Sequence, residues 1–320
     1  MARLFLLRGR ALNLICNSLE SITPPQDTGL PRQVWVIVMV LVHWYEHLMS
    51  FLEIKLPVDT GVESTIDFLT TNLAVPLEAF SDFLLSVSNA LDFVFLSIPV
   101  LLFIILIAVL MVFVRSWKHG LFAFVALLLM FNLGLWEATI MTLSLVLTAA
   151  LLSVGVGIPL GILTAHSEIA FTIIRPILDF MQTIPPFVYL IPAMMFFGLG
   201  KVPAIAATFV FATPPAVRLT RLGFEEIPGE IIEAGKAFGA NSWQMLWKVE
   251  FPLATSSIMV GINQTIMMSL SMMVIAAMIG AKGLGQEVLR SLSWIDVGMG
   301  FEAGIGIVIL AIIIDRLVTG

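Results

Sequence analysis

The chain has 320 residues, of which 59% are hydrophobic and only 12% charged, with mean hydropathy +1.04 and a net charge of −6. That composition excludes an ordinary water-soluble domain, in which about 25% of residues are charged. Cys16 is the only cysteine, so an internal disulfide is excluded and nothing follows about redox compartment.

In chain order, Met1 to Ser21 carries Arg3, Arg8 and Arg10 but no long apolar core or clear cleavage site, so a removed signal peptide is not expected. Runs near the roughly 20 apolar residues that cross a bilayer core lie at 34–51, 96–114, 120–136, 139–164, 173–199, 203–221, 254–280 and 301–318. The first contains His43, Glu46 and His47, and the fifth is interrupted by Pro176, Pro185, Pro186 and Pro192. Seven or eight spans are therefore expected, an all-α, polytopic helical membrane protein. His43-Trp44-Tyr45-Glu46-His47 fits a His-x-x-Glu-His zinc pattern. Such a site needs a third ligand, and His119 and His166 fall on the opposite side of the expected topology. Interfacial anchoring of a helix is the simpler expectation, and no metal is assigned.

Residues 53–95 differ in character. Glu53, Asp59, Glu63, Asp67, Glu78, Asp82 and Asp92 face only Lys55, a surplus that matches the net charge of the whole chain. With Pro76 interrupting the apolar residues, 66–95 reads as amphipathic helices on the outer interface. Residues 1–95 thus form an N-terminal region, with a candidate first span and an acidic interfacial segment, ahead of a transmembrane core at 96–320.

Further along, Gln182 and Thr183 precede Pro185-Pro186, and Thr213 precedes Pro214-Pro215. Prolines inside a span free backbone carbonyls, which only protein or a wet cavity tolerates. Two such breaks in corresponding positions point to a pathway. Gly198-Leu199-Gly200-Lys201 is followed by Val202 and lacks the spacing of a phosphate loop, so energy must come from a partner or a gradient. Asn263, Gln264, Thr265, Ser269 and Ser271 are polar groups inside one span. They either bond neighbouring helices or line a solute path. Met267, Met268, Met272 and Met273 supply flexible apolar lining or plain core filling.

A polar island of about 30 residues, 224–253, separates two strongly apolar stretches. Pro228 suits a first helical turn, and Ile227, Ile231, Ala234 and Phe238 recur at helical spacing. Gly239 can end that helix, Asn241 with Gln244 can cap a second, and Pro252 is expected to stop it. Ala234, Gly235, Ala237 and Gly239 lack bulk, so another protein's backbone could approach. Two short helices joined at a bend read as a docking element. If this element faces the cytoplasm and spans alternate, twelve of the sixteen Lys and Arg fall inside and only Lys55, Lys201, Lys282 and Arg290 outside. That split obeys the positive-inside rule.

Glu233-Ala234-Gly235, Gly239 and Val249-Glu250-Phe251-Pro252 resemble the EAA loop of ABC importer permeases: Glu-Ala-Ala, three residues, Gly, nine residues, Ile-x-Leu-Pro. The spacing fits throughout, with Gly235, Val249 and Phe251 in place of Ala, Ile and Leu. From 139 to 318 the chain is similar to permease subunits of glycine betaine/proline betaine importers. Leu178 to Leu190, Pro214 to Thr220, Gly261 to Thr265, Gly283 to Gln286 and Gly306 to Arg316 carry that likeness.

The resemblance implies a type I ABC importer permease (MetI-like) core in the bacterial cytoplasmic (inner) membrane, with a substrate such as glycine betaine, choline, carnitine or trimethylamine N-oxide. It implies two cytoplasmic ATPase subunits holding ATP and Mg, an extracytoplasmic binding protein and a second permease copy. No cofactor is expected on this chain itself, and no nucleic acid among its partners. The ATPase-coupling residues would be Glu233, Ala234, Gly235, Lys236, Gly239 and Pro252, with Lys248 adding charge. Substrate-pathway candidates are Gln182, Thr183, Pro185, Tyr189, Asn263, Gln264, Met267 and Ser271. A permease for another small solute such as an amino acid, or a proton- or sodium-driven secondary transporter, are the competing readings.

Overall fold

The computed structural model describes residues 41–45, 47, 48 and 58–319. Met1 to Ser21, Glu46 and most of the expected first span lie outside these residues. The chain forms two compact units, Met1–Glu63 and Ser64–Gly320. In the first, residues 41–45, 47 and 48 are helical, and the His43 and His47 rings meet edge to face with centroids 4.9 Å apart.

Every regular element described is helical. In order they are α1 (Val58–Asn72), α2 (Ala74–Ser97), α3 (Val100–Val114), α4 (Trp117–Asn132), α5 (Trp136–His166), α6 (Glu168–Thr183), α7 (Pro186–Phe197) and α8 (Lys201–Glu225). There follow α9 (Gly229–Ala237), α10 (Ser242–Met245), a π turn (Leu246–Glu250), α11 (Phe251–Ala276), a short 3-10 turn (Ala277–Ile279), α12 (Leu284–Trp294) and α13 (Val297–Val318).

Five helical stretches among the described residues are long and apolar enough to cross a membrane: α2, α5, α8, the run Ser242–Ile279 and α13. The pair α6 and α7 makes a sixth if its 104° bend lies within one span. The bend falls where expected, because Pro185 and Pro186 supply no backbone N–H to continue α6. α3 and α4 are apolar but have 15 and 16 residues. At 1.5 Å per residue they reach about 24 Å, short of the roughly 30 Å hydrocarbon core. They pack on each other as a hairpin, joined by a turn at Arg115–Ser116.

α2 is one unbroken helix of 24 residues where the sequence suggests interfacial pieces. Pro76 sits in its first turn, where no intrahelical donor is needed. Asp92, unfavourable in an apolar helix, is matched by the ammonium of Lys201 at the start of α8, which also bonds Asn89. The partner lies more than a hundred residues away and could not be read locally.

The centre of the bundle is α8, flanked by α5 and α11. Small residues let these helices close up: a Cβ on Gly161 would stand 2.7 Å from the Val217 carbonyl and 2.5 Å from Thr220 Cβ. This closeness explains a departure from expectation. Thr213-Pro214-Pro215 does not break α8, which runs on through Pro214 and Pro215, both buried. The Ser153 and Thr213 hydroxyls donate to the Phe209 carbonyl, 3.2 and 2.5 Å away, just before the prolines. Neighbouring helices enclose α8 where the prolines remove two of its own bonds, and the helix stays unbroken.

Candidate functional site

The docking element is built by local chemistry. Pro228, at the N-cap of α9, accepts from Ile231 N–H at 3.0 Å. At the other end Gly239 adopts φ +79, and the N–H groups of Gly239 and Ala240 bond the Lys236 and Gly235 carbonyls. This paired closure needs a left-handed residue, which glycine supplies without strain. Asn241 then opens α10 with a reciprocal capping box: its Oδ1 accepts from Gln244 N–H at 2.8 Å, and Gln244 Oε1 accepts from Asn241 N–H at 3.0 Å. The expected bend of two helices is present.

Two expectations about this element need correction. Pro252 does not stop the second helix. α10, the π turn and α11 form one continuous run of 38 residues, Ser242–Ile279. Phe251 N–H reaches back to the Leu246 carbonyl, five residues away. That wider register absorbs the proline ring just after the turn. The rod is about 57 Å long, against roughly 30 Å of hydrocarbon, so its first turns stand beyond the apolar layer.

Gly235, in turn, does not present its bare backbone outward. A Cβ there would meet Met245 Cε at 2.5 Å, so its small size serves the packing of α9 against the foot of the rod. Glu233, Ala234, Lys236, Gly239, Lys248 and Pro252 are all exposed, and neither Glu233 nor the two lysines forms an ion pair among the described residues. At the bend Phe238 is 93% exposed, beside exposed Trp243. Phe238 is thus a large apolar side chain left open in the single subunit, at the end of the helix that carries exposed Glu233 and Lys236.

The foot of the rod is held to the bundle by a contact that the spacing of the motif does not reveal. Glu250, the last residue of the π turn, is buried, and its Oε2 lies 2.9 Å from His166 Nε2 at the end of α5. Arg221 is 8% exposed. Its guanidinium donates to the Thr164 carbonyl at 2.7 Å, pairs with Glu225 at 2.5 Å and Glu168 at 3.3 Å, and stacks 3.2 Å over the Phe171 ring centroid. One cation thereby ties together the end of α5, the start of α6 and the end of α8. The available signal was a charged residue in an apolar helix, which is retained only where partners meet it.

The pathway candidates separate into two groups. Asn263 Nδ2 donates to Asp315 Oδ1 of α13 at 2.9 Å, so this amide bonds two helices together, while its Oδ1 is buried without a partner among the described residues. Tyr189 is buried, and its hydroxyl donates to the Met181 carbonyl across the bend between α6 and α7. Gln182, Thr183 and Pro185 are exposed beside that bend. Gln264 and Ser271, seven residues apart, lie exposed on one face of α11 with half-buried Met267 between them. A polar face on an otherwise apolar span belongs against protein or water, not lipid.

Residues 157–319, which include α8, the docking element and the whole rod, match the model of the binding-protein-dependent transport system inner membrane component family. The chain belongs to this family. Among its relatives, the glycine betaine/carnitine transport permease protein GbuB of Listeria monocytogenes serotype 1/2a (strain 10403S) is 46% identical over 266 residues, covering 82% of this chain and 94% of that protein. The glycine betaine/proline betaine transport system permease protein ProW of Escherichia coli (strain K12) is 43% identical over 295 residues, 92% of this chain and 83% of that one. A trimethylamine N-oxide transport system permease protein, TmoV of Pelagibacter ubique (strain HTCC1062), is 41% identical over 62% of this chain and 28% of its own length. In fold, the chain is similar to an inward-facing structure of the MetNI methionine ABC transporter, with a TM-score of 0.52 at 23% identity over 56% of this chain and 92% of that one. As a family member, the chain is a multi-pass inner-membrane transport component.

Proposed function

We propose that the chain is the translocation subunit of an ATP-driven importer of a small methylated or quaternary amine. The cargo class is glycine betaine first, with carnitine, choline and trimethylamine N-oxide as relatives of the same chemistry. The observation that carries this reading is the bent α9–α10 element, exposed on its outer face and continuous with a 38-residue helix that crosses the bundle. The relatives' names support the cargo class.

In this reading α9 seats on a cytoplasmic ATPase, two copies of which hold ATP and Mg. Phe238 enters an apolar recess, while Glu233 and Lys236 make polar contacts at its edge. The excess of Lys and Arg on that side supports a cytoplasmic position. Gly235 and Met245 keep α9 pressed on the rod, so a push on the element tilts α11 instead of bending the loop. A rigid element with two packed positions is the physical requirement for such transmission. Two permease copies would enclose the path between the Gln264–Ser271 faces of α11 and the α6–α7 bends. An extracytoplasmic binding protein would hold the amine, whose cationic methylated group suits aromatic faces, and release it into a weakly binding path.

The test is uptake of labelled glycine betaine by the permease reconstituted with its ATPase and binding protein, competed by carnitine, choline, trimethylamine N-oxide and methionine. ATP-dependent uptake suppressed by methylated amines but not by methionine is expected. Uptake driven by a proton or sodium gradient without ATP would overturn the reading.

A further inference from the structure

Between the α3–α4 hairpin and the bundle lies a cavity of about 290 Å³. Phe103 and Ile107 of α3, Leu143 of α5, and Leu310, Ile314 and Val318 of α13 are among its walls. The single hydroxyl in the lining, on Thr139, donates to the Leu135 carbonyl at 2.8 Å and so offers nothing inward. Such a cavity does not hold water. Its size matches the lower end of cavities that hold ligands, about 300 Å³. On the outer face of the hairpin, Leu102, Ile105, Val109, Phe113, Leu121 and Val125 are exposed, as befits helices bathed in acyl chains.

One end of the cavity reaches Leu317 and Val318, next to a group of cations. Arg115 Nη1 donates to the Thr319 carbonyl at 3.1 Å and joins the α3–α4 turn to the end of α13. Arg115 and Lys118 are exposed, and Arg316 is partly so. The neighbouring carboxylate, Asp315, is already bonded to Asn263, and its other oxygen stands 3.7 Å from Arg316 Nε. Trp117, 65% exposed on the same turn, has the amphipathic ring that settles at headgroup depth. An apolar slot ending beneath three cations and an interfacial tryptophan is complementary to one class of molecule.

We propose that this cavity is a site for an anionic phospholipid of the bilayer, with one acyl chain between the hairpin and the bundle and its phosphate over Arg115, Lys118 and Arg316. The hairpin, too short to span alone, is then bonded to the bundle partly through lipid. The site is independent of the cargo and of the ATPase reading.

The test uses the full chain, purified in neutral detergent and offered equimolar phosphatidylglycerol and phosphatidylcholine, with bound lipid counted by native mass spectrometry. One tightly held phosphatidylglycerol is expected, preferred by roughly fivefold for each cation that meets the phosphate. Leu143→Trp, which fills the slot, should eject it. Arg115→Gln, Lys118→Gln and Arg316→Gln together should keep a chain bound but equalise the two lipids. Because Leu143→Trp can disturb folding, a phosphatidylglycerol with a photoreactive group in its chain is also applied to the unaltered protein. Adducts on 140–147 and 310–318 are expected. Equal retention of both lipids by the unaltered protein would overturn the proposal, as would adducts confined to the outer faces of α3 and α4. Displacement of the lipid by excess soluble glycerol phosphate would also count against it, since that would leave no role for the chain.

Discussion

His166 Nε2 lies 2.9 Å from Glu250 Oε2, while its Nδ1 lies 2.9 Å from the Ile162 carbonyl. Both ring nitrogens thus face oxygen atoms, one of a side chain and one of the backbone. The contact joins the last residue of α5 to the point where the docking element becomes the membrane rod. His166→Ala leaves a buried carboxylate without its partner, a loss of about 1 kcal/mol and of roughly 2–4 °C in Tm. Uptake should fall by more than ATP hydrolysis does, because the foot of the rod is loosened while the nucleotide sites are untouched. Thermal unfolding and paired uptake and hydrolysis assays check this; equal loss of both activities would assign His166 a purely structural role.

Glu233→Ala removes an exposed carboxylate that supports no contact within the described residues. Stability should stay unchanged and uptake fall by roughly tenfold, with hydrolysis retained, the size of a typical coupling energy. Phe238→Ala should weaken retention of the ATPase on a column. Normal uptake in the Glu233 variant would remove its assigned role.

Gly235 separates two effects at one position. In Gly235→Ala the new methyl meets only the flexible end of Met245, so near-normal uptake is expected. Gly235→Phe must push α9 off the rod and should abolish uptake. Normal transport by the Phe variant would show that α9 needs no fixed seat.

Gly161→Leu drives a side chain into the backbone carbonyl of Val217, not into a flexible tip. Overpacking of this kind costs about 1–3 kcal/mol or more. A clear drop in Tm in detergent is expected, larger than for leucine at Gly155, where a Cβ would meet open space.

The polar residues of α11 should respond differently from one another. Asn263→Leu removes the bond to Asp315, so a loss of about 1 kcal/mol in stability is expected. Gln264→Leu and Ser271→Leu should leave Tm unchanged and lower uptake, since both side chains are exposed in the single subunit. Unaltered uptake in both would move the path away from this face.

Much of this protein was legible in order of sequence. Apolar runs of sufficient length set the helical, membrane-crossing class, because backbone groups in hydrocarbon must bond within their own segment. Caps and turns of the docking element were equally plain. Pro228, Gly239 and the Asn241–Gln244 box act within a few residues of themselves, and local chemistry suffices to place them. What required the tertiary structure was every outcome decided by a distant partner. Pro185-Pro186 breaks its helix, yet Pro214-Pro215 does not, because α5 and α11 enclose the second pair and not the first. Asp92 sits in a long apolar helix because Lys201 meets it, and Asn263 became a bridge because Asp315 lies across from it. Gly235 faces inward because Met245 occupies that side. Periodicity and spacing describe what one segment prefers, whereas neutralising a charge or filling a void depends on which other segment arrives, and that is fixed only when the helices pack.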